Sequence, residues 1–129
     1  SNDDNGNYSG HTRVYAWNGA TWAQKGLDLD GEAANDMSGT SVSLSSDGTV
    51  VAIGANGNKA NGNYSGHTRV YAWNGTAWTQ RGDDLDGEAY DQSGYSLSLS
   101  SDGTVIAIGA PFNDGNGSDS GHTRVYVWQ

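Results

Sequence analysis

Cysteine is missing from the 129-residue chain, and proline, methionine and phenylalanine occur once each. Without cysteine there is no disulfide framework, no thiolate nucleophile and no cysteine-ligated zinc site. Positive charge is scarce too. Six lysines and arginines face 15 acids, giving a net charge of -9 and a pI near 4.3. Such a chain is repelled by a phosphate backbone, which excludes nucleic acid as a partner. No run approaches the ~18 apolar residues needed to cross a bilayer, and no basic amphipathic helix offers a face to one. Membrane insertion is therefore not expected. Residues 1–10 lack the charged and apolar regions of a signal peptide, so any targeting segment is expected to lie outside the sequence.

Charged residues are only 16% of the chain, against about 25% in an average soluble domain. Polarity comes instead from Gly, Ser, Asn, Asp and Thr, which form turns and compete with helices. The 10% aromatic content argues against a disordered acidic tail. The balance suits a secreted or cell-surface repeat protein of bacterial type.

Self-similarity dominates the chain. His-Thr-Arg-Val-Tyr occurs at 11–15, 67–71 and 122–126, at offsets of 56 and 55. Ser-Ser-Asp-Gly-Thr-Val recurs at 45–50 and 100–105, and Ala-Ile-Gly-Ala at 52–55 and 107–110. Aligning 11–55 with 67–110 needs a single one-residue gap and leaves about three-quarters of the positions identical. Residues 1–129 therefore form a single repeat region. One unit spans 11–66, a second spans 67–121, and 122–129 open a third.

Each unit reads as β-structure. Residues 12–17 alternate Thr12, Val14 and Ala16 against Arg13, Tyr15 and Trp17. Asn18-Gly19 supplies a hairpin turn, and 21–25 return. Residues 40–45 alternate again, Asp47-Gly48 turns, and the wholly apolar run 50–55 predicts a strand buried on both faces. The second unit repeats this at 70–73, 78–81, 96–100 and 105–110, and 125–128 form a ninth strand. Loops are expected at 27–39, 56–66, 83–94 and 111–121. No helical period is present.

Four short antiparallel strands per unit describe a β-propeller blade. The fold class is all-β, with four-stranded antiparallel blades and about two and a quarter blades in the chain, completed by oligomerisation or by a longer repeat array. Bulky Val and Leu on one face of a blade would meet Ser, Ala and Gly on the next.

The unit resembles the FG-GAP repeat of integrin alpha-subunit propellers and related bacterial secreted proteins. The resemblance rests on Ser93-Gly94-Tyr95-Ser96-Leu97-Ser98-Leu99, then Val105-Ile106-Ala107-Ile108-Gly109-Ala110-Pro111, then Gly121-His122-Thr123-Arg124-Val125-Tyr126-Val127-Trp128. The family pattern is Phe-Gly-x-Ser-Val, a strand ending Val-Gly-Ala-Pro, then Gly-x-Val-Tyr-Val. Ser38 and Ser93 stand where its Phe would be, and Gly54-Ala55-Asn56 replaces the first Gly-Ala-Pro. The family's Asp-x-Asp-x-Asp-Gly calcium loop is reduced to Ser46-Asp47-Gly48 and Ser101-Asp102-Gly103, too short to wrap a cation.

The acids that could hold calcium lie elsewhere. Asp28, Asp30 and Glu32 recur as Asp84, Asp86 and Glu88, alternate acids around a Gly turn. The competing reading is a rim turn whose Asp side chains cap backbone N–H groups. Asp36 follows Glu32 by four residues but Asp91 follows Glu88 by three, so that later Asp is not expected to be a shared ligand. Residues 113–119, their counterpart 56–62 and residues 2–6 read as flexible surface loops. His11, His67 and His122 share one repeat position and are expected to hydrogen-bond a rim loop. Arg13, Arg69 and Arg124 lie within strands and should pair with the acidic turns.

The Trp and Tyr residues form a ladder expected to pack between blades. Tyr90 and Tyr95, which have no aromatic equivalents in the first unit, are candidates for individual contacts. Trp22 and Trp78 are candidate glycan contacts.

Nearly every ionisable residue is duplicated, whereas catalysis needs an asymmetric constellation, so no enzyme is expected. About two and a quarter blades leave blade faces and strand edges uncovered, since a closed ring takes about four to eight. Val125, Tyr126, Val127 and Trp128, without a hairpin partner, are expected to join a neighbouring copy, giving a ring or filament. The expected role is a structural or adhesive extracellular module whose partners are further copies, with glycans or cell-surface proteins as further partners. The alternative is a carbohydrate-binding propeller module.

Overall fold

The computed structural model describes residues 5–113, 117 and 120–129. Residues 2–4 and most of 114–119, which belong to the loops compared above, lie outside the described residues. Among the described residues there are twelve strands and no helix, so none is long and apolar enough to cross a membrane. The strands are β1 (His11–Thr12), β2 (Tyr15–Trp17), β3 (Trp22–Gln24), β4 (Leu29–Asp30), β5 (Ser38–Leu44), β6 (Val50–Ala55), β7 (His67–Trp73), β8 (Trp78–Gln80), β9 (Leu85–Asp86), β10 (Ser96–Leu99), β11 (Val105–Ala110) and β12 (His122–Val127).

The middle of the chain forms one complete antiparallel sheet, in the order β5-β6-β7-β8, with β9 on the first residues of β7. The last strands form β10-β11-β12, which lacks the fourth strand. The first residues supply only the later part of the pattern, as two pairs: β2 with β3 and β1 with β4. The sheets are thus out of phase with the sequence repeat.

The tight turns follow from side-chain capping. Asp47 Oδ1 accepts hydrogen bonds from Thr49 N, Thr49 Oγ1 and Ser45 Oγ. Asp102 repeats the set with Thr104 and Ser100. Gly48 and Gly103 then take φ of +73° and +75°, which residues with a Cβ adopt only under strain. Asn18 and Asn74 cap the β2-β3 and β7-β8 turns in the same manner.

Three expectations need correction. The strand over 12–17 is broken at Arg13-Val14 into β1 and β2, because no strand lies on its other side to hold it straight. The loops 27–39 and 83–94 are not free of strand. Their acidic turns return as β4 and β9, placing Asp30 opposite His11 and Asp86 opposite His67. The final strand begins at His122, not at Val125, and is fully paired along β11.

Alternation decides the packing. Cross-strand partners share a face, so Ser43, Val50, Ala52, Val70 and Ala72 form one face of the complete sheet. Leu97, Leu99, Ile106, Ile108 and Tyr126 form the facing surface of the last sheet. These two faces meet as the core: Val50, Ala52, Val70, Ile106 and Ile108 are buried, with Leu85, Leu97, Leu99 and Tyr126 packed against them. Bulky side chains thus fit against a face with Ala and Ser. Gly54 makes the close approach, since a Cβ there would strike the carbonyl oxygen of Gly94. Leu99 N donates to Ser43 Oγ, and Ser41 Oγ donates to Gly94 O, tying β5 to the last sheet.

Candidate functional site

The strand arginines sit where sheets meet turns. Arg13 Nε lies 2.9 Å from Asp28 Oδ1, and Nη2 donates to Oδ2 at 3.1 Å. Arg69 repeats this bidentate grip on Asp84 at 2.8 and 3.1 Å, and adds Glu32 at 2.7 Å. Arg124 reaches Glu88 at 3.0 Å. The rule is clear in the middle copy. Arg69 holds an Asp fifteen residues ahead in its own turn and a Glu from the turn before its sheet, whereas Arg13 keeps only the Asp contact and Arg124 only the Glu contact. Arg69 is therefore a staple between successive units. Hydrogen bonding to Asp84 raises its pKa against the opposing effect of burial. The same bond holds Asp84 below its usual carboxylate range. Burial opposes ionisation of Glu32, but hydrogen bonds from Asn58 and Arg69 outweigh it and lower its pKa.

His67 belongs to the same cluster. Its Nδ1 lies 3.7 Å from Asp84 Oδ2 and 3.9 Å from Asp86 Oδ1. The side chain is 4% exposed, and Nδ1 is buried with no hydrogen-bond partner. Burial, reinforced by the charge of Arg69, pushes its pKa down and keeps the ring neutral near pH 7. Burial, then the charge of Asp84, pushes Asp86 up. Ligand atoms of Glu32, His67 and Asp84 fall within 4.8 Å of one another, as do those of His11, Asp28 and Asp30. His11 Nδ1 lies 3.8 Å from Asp28 Oδ2 and is also buried without a partner. Sequence reasoning expected these histidines to hydrogen-bond a rim loop. The signal it missed is the β1-β4 and β7-β9 register, which sets each one opposite an Asp.

The six acids considered for calcium do not converge on one point. They divide between two turns, and Asp28, Asp84, Glu32 and Glu88 each accept from an arginine. The later acids are the buried ones. Asp36 Oδ2 accepts from Ala33 N and Asn58 Nδ2, and Asp91 Oδ2 from Glu88 N and Asn113 Nδ2. Both span the same three-residue interval, so the extra residue of the first turn lies just before it. Asn58 also donates to Glu32 Oε1 at 2.8 Å. The buried asparagines are functional parts of the turn that periodicity did not reveal, because they sit in loops.

A second staple uses aromatic rings. Lys25 Nζ donates to Gly48 O at 2.8 Å and lies 5.1 and 5.3 Å from the rings of Trp73 and Trp78. Trp78 Nε1 donates in turn to Lys25 O. One repeat later, Arg81 lies 5.4 Å from Trp128. Trp73 and Trp78 meet edge-to-face at 5.3 Å, as Trp17 and Trp22 do at 5.5 Å.

The four aromatic contact candidates do not gather into one surface. Trp78 is held in the staple and Trp22 is exposed. Tyr90 has a φ of +67° and its hydroxyl receives a 3.4 Å bond from Asn63. Tyr95 lines a shallow concavity with Pro111, Gly121 and His122, which includes none of the other three.

A family model described as the FG-GAP repeat matches residues 24–71 and again residues 84–127. The chain belongs to the FG-GAP repeat family. No curated protein matches it. FG-GAP repeats form β-propeller blades, so β5-β6-β7-β8 is a complete blade, β10-β11-β12 is one lacking its last strand, and the N-terminal pairs are the outer part of a third. FG-GAP repeats are generally non-enzymatic and typically occur in extracellular or surface proteins.

The FG-GAP blades end in two uncovered surfaces. On the last blade, Val125 and Val127 are exposed, on the face opposite the core. Tyr126 packs against the core on the other face, and Trp128 lies on that side too, over Arg81. Neither is therefore part of the outward surface expected for 125–128. At the other end, Val42 and Leu44 of β5 are exposed, because the preceding blade lacks its inner two strands. An apolar cleft of about 130 Å³ between the two main blades is lined by Val70, Leu85, Leu99, Ile106, Tyr126 and Trp128.

Proposed function

We propose that this chain is a non-enzymatic extracellular module with a structural or adhesive role, self-associating through its uncovered blade faces and edges into a ring or filament. One observation carries the reading. The open face of the last blade repeats the covered face of the complete blade: Val105, Val125 and Val127 stand where Val50, Val70 and Ala72 stand. That surface type already receives a bulky neighbour inside the chain. Val42 and Leu44 offer the bulky counterpart at the other end. A contact between unlike ends repeats from copy to copy. The free edge of β12, where β7 has β8, adds unpaired backbone groups.

Multi-angle light scattering and negative-stain electron microscopy test this. The wild type should form closed rings or fibres, and Val125→Asp with Val127→Asp should leave monomers of unchanged circular dichroism. A wild type that stays monomeric with 122–129 intact sinks the proposal.

Exposed Trp17 and Trp22 favour a second reading, a carbohydrate-binding module in which flat rings stack on sugars. Their equivalents Trp73 and Trp78 are occupied by Lys25, which supports a missing blade as the better explanation. A glycan array that shows binding lost in Trp22→Ala would reverse that preference.

A further inference from the structure

We propose that His67 and Asp84, with Glu32 from the preceding turn, bind a divalent transition-metal ion of borderline softness beside Asp86, and that His11, Asp28 and Asp30 form a weaker copy of the site. The argument begins with His67 Nδ1. It is buried without a partner and faces two carboxylate oxygens at 3.7 and 3.9 Å. A protonated Nδ1 would be drawn into a hydrogen bond at about 2.7–3.2 Å. An unprotonated one would aim its lone pair at anionic oxygens. A cation between them resolves both, because the lone pair and the carboxylates then share it.

Charge points the same way. Glu32, Asp84 and Asp86 carry three negative charges when ionised, and Arg69 supplies one positive charge. With Asp36 also acting on His67, the cluster keeps an excess of negative charge that favours a cation. Among the described residues, Asp84 Oδ2 accepts only from Arg69 Nη2, leaving a lone pair toward His67. The β7-β9 register sets Asp86 directly opposite His67, so the backbone, not a flexible loop, holds that charge beside the histidine. Metal–ligand bonds of about 2.0–2.1 Å would draw the groups together by a few tenths of an ångström.

Donor chemistry selects the class. Calcium takes six to eight oxygens and has no use for an imidazole nitrogen. One nitrogen with carboxylate oxygens suits zinc and its first-row neighbours. The N-terminal copy has the same histidine and two aspartates but no preceding glutamate, and it is more open. His122 has no ion-pair partner among the described residues and serves as an internal control.

Calorimetric titration of the folded chain with zinc chloride near neutral pH, alongside calcium chloride, tests the site. Saturable zinc binding is expected, with no calcium binding at this site. His67→Gln should weaken it by about tenfold or more, Asp86→Asn by less, and His122→Gln should leave it unchanged. Nitrogen NMR of the wild type gives a readout that does not depend on variants folding: zinc should shift the His67 Nδ1 resonance. Absence of saturable zinc binding overturns the proposal. So does binding that His67→Gln leaves intact, or a His67 Nδ1 resonance unmoved at saturating zinc.

Discussion

Residues 11–17 and 67–73 are the same heptapeptide, His-Thr-Arg-Val-Tyr-Ala-Trp, in two different structural states. The second copy is one continuous strand between β6 and β8, and His67, Thr68 and Val70 are buried. The first is broken at Arg13-Val14, and Tyr15, Ala16 and Trp17 are exposed. Local propensity is identical, so the difference comes from neighbours. The second copy has an apolar strand beside it and the last blade beyond. The valines show the same effect at the other end. Val50 and Val70 are 3% and 8% exposed, while Val105 and Val125 are 36% and 62% exposed. Burial in this protein is a property of position in the stack.

The largest break in the comparison should come from β6. Ile53→Ala removes a buried side chain beside Arg69 and should cost about 2–5 kcal/mol in urea denaturation. Hydrogen exchange at 67–73 should then approach the faster exchange expected at 15–17. Next is Gly54→Ala, where the new methyl meets the Gly94 backbone. It should cost about 1–3 kcal/mol. Gly109→Ala, at the same repeat position but meeting only the Ser96 side chain, should cost clearly less.

Arg69→Ala leaves Glu32 and Asp84 without their shared cation and should lose about 1–2 kcal/mol after solvent screening. Arg13→Ala, which breaks only one exposed pair, should lose less in the same melt. Smallest is a control in which the two regions agree. Hydrogen bonds from Thr49 and Thr104 lower the pKa of Asp47 and Asp102 from 3.8. A depressed folded pKa stabilises above the unfolded value and the gain is lost as pH falls through the folded one. Asp47→Asn and Asp102→Asn should therefore flatten the acid limb of the stability curve equally, below about pH 4, as read by melting temperature. Unequal effects would mean that even these turns depend on their neighbours.

Much of the fold was legible because its signals are local. The apolar runs at 50–55 and 105–110 match β6 and β11 residue for residue. The Asn-Gly and Asp-Gly turns stand where their capping bonds require. Two-residue β4 and β9 were not legible, because so short a strand has no period and forms only by pairing with β1 and β7. The candidate site suffered most from this. Without those pairings, the histidines had no visible acidic neighbour, and Asn58 and Asn113 read as loop polarity. Tyr126 and Trp128 were misplaced in the outward set because assembly was assigned to a whole segment, whereas alternation divides it between two faces.

The repeat, its all-β character and its FG-GAP membership are written in residue spacing, since turn chemistry and alternation act over a few residues. The -9 charge and the lack of cysteine fixed in advance that cohesion comes from strands, aromatic packing and arginine staples. Only the tertiary structure decided which copy of each motif is buried, which histidine faces which acid, and which blade face stays open. Those outcomes depend on contacts between residues as many as 56 positions apart, and an identical heptapeptide carries no record of what will pack beside it.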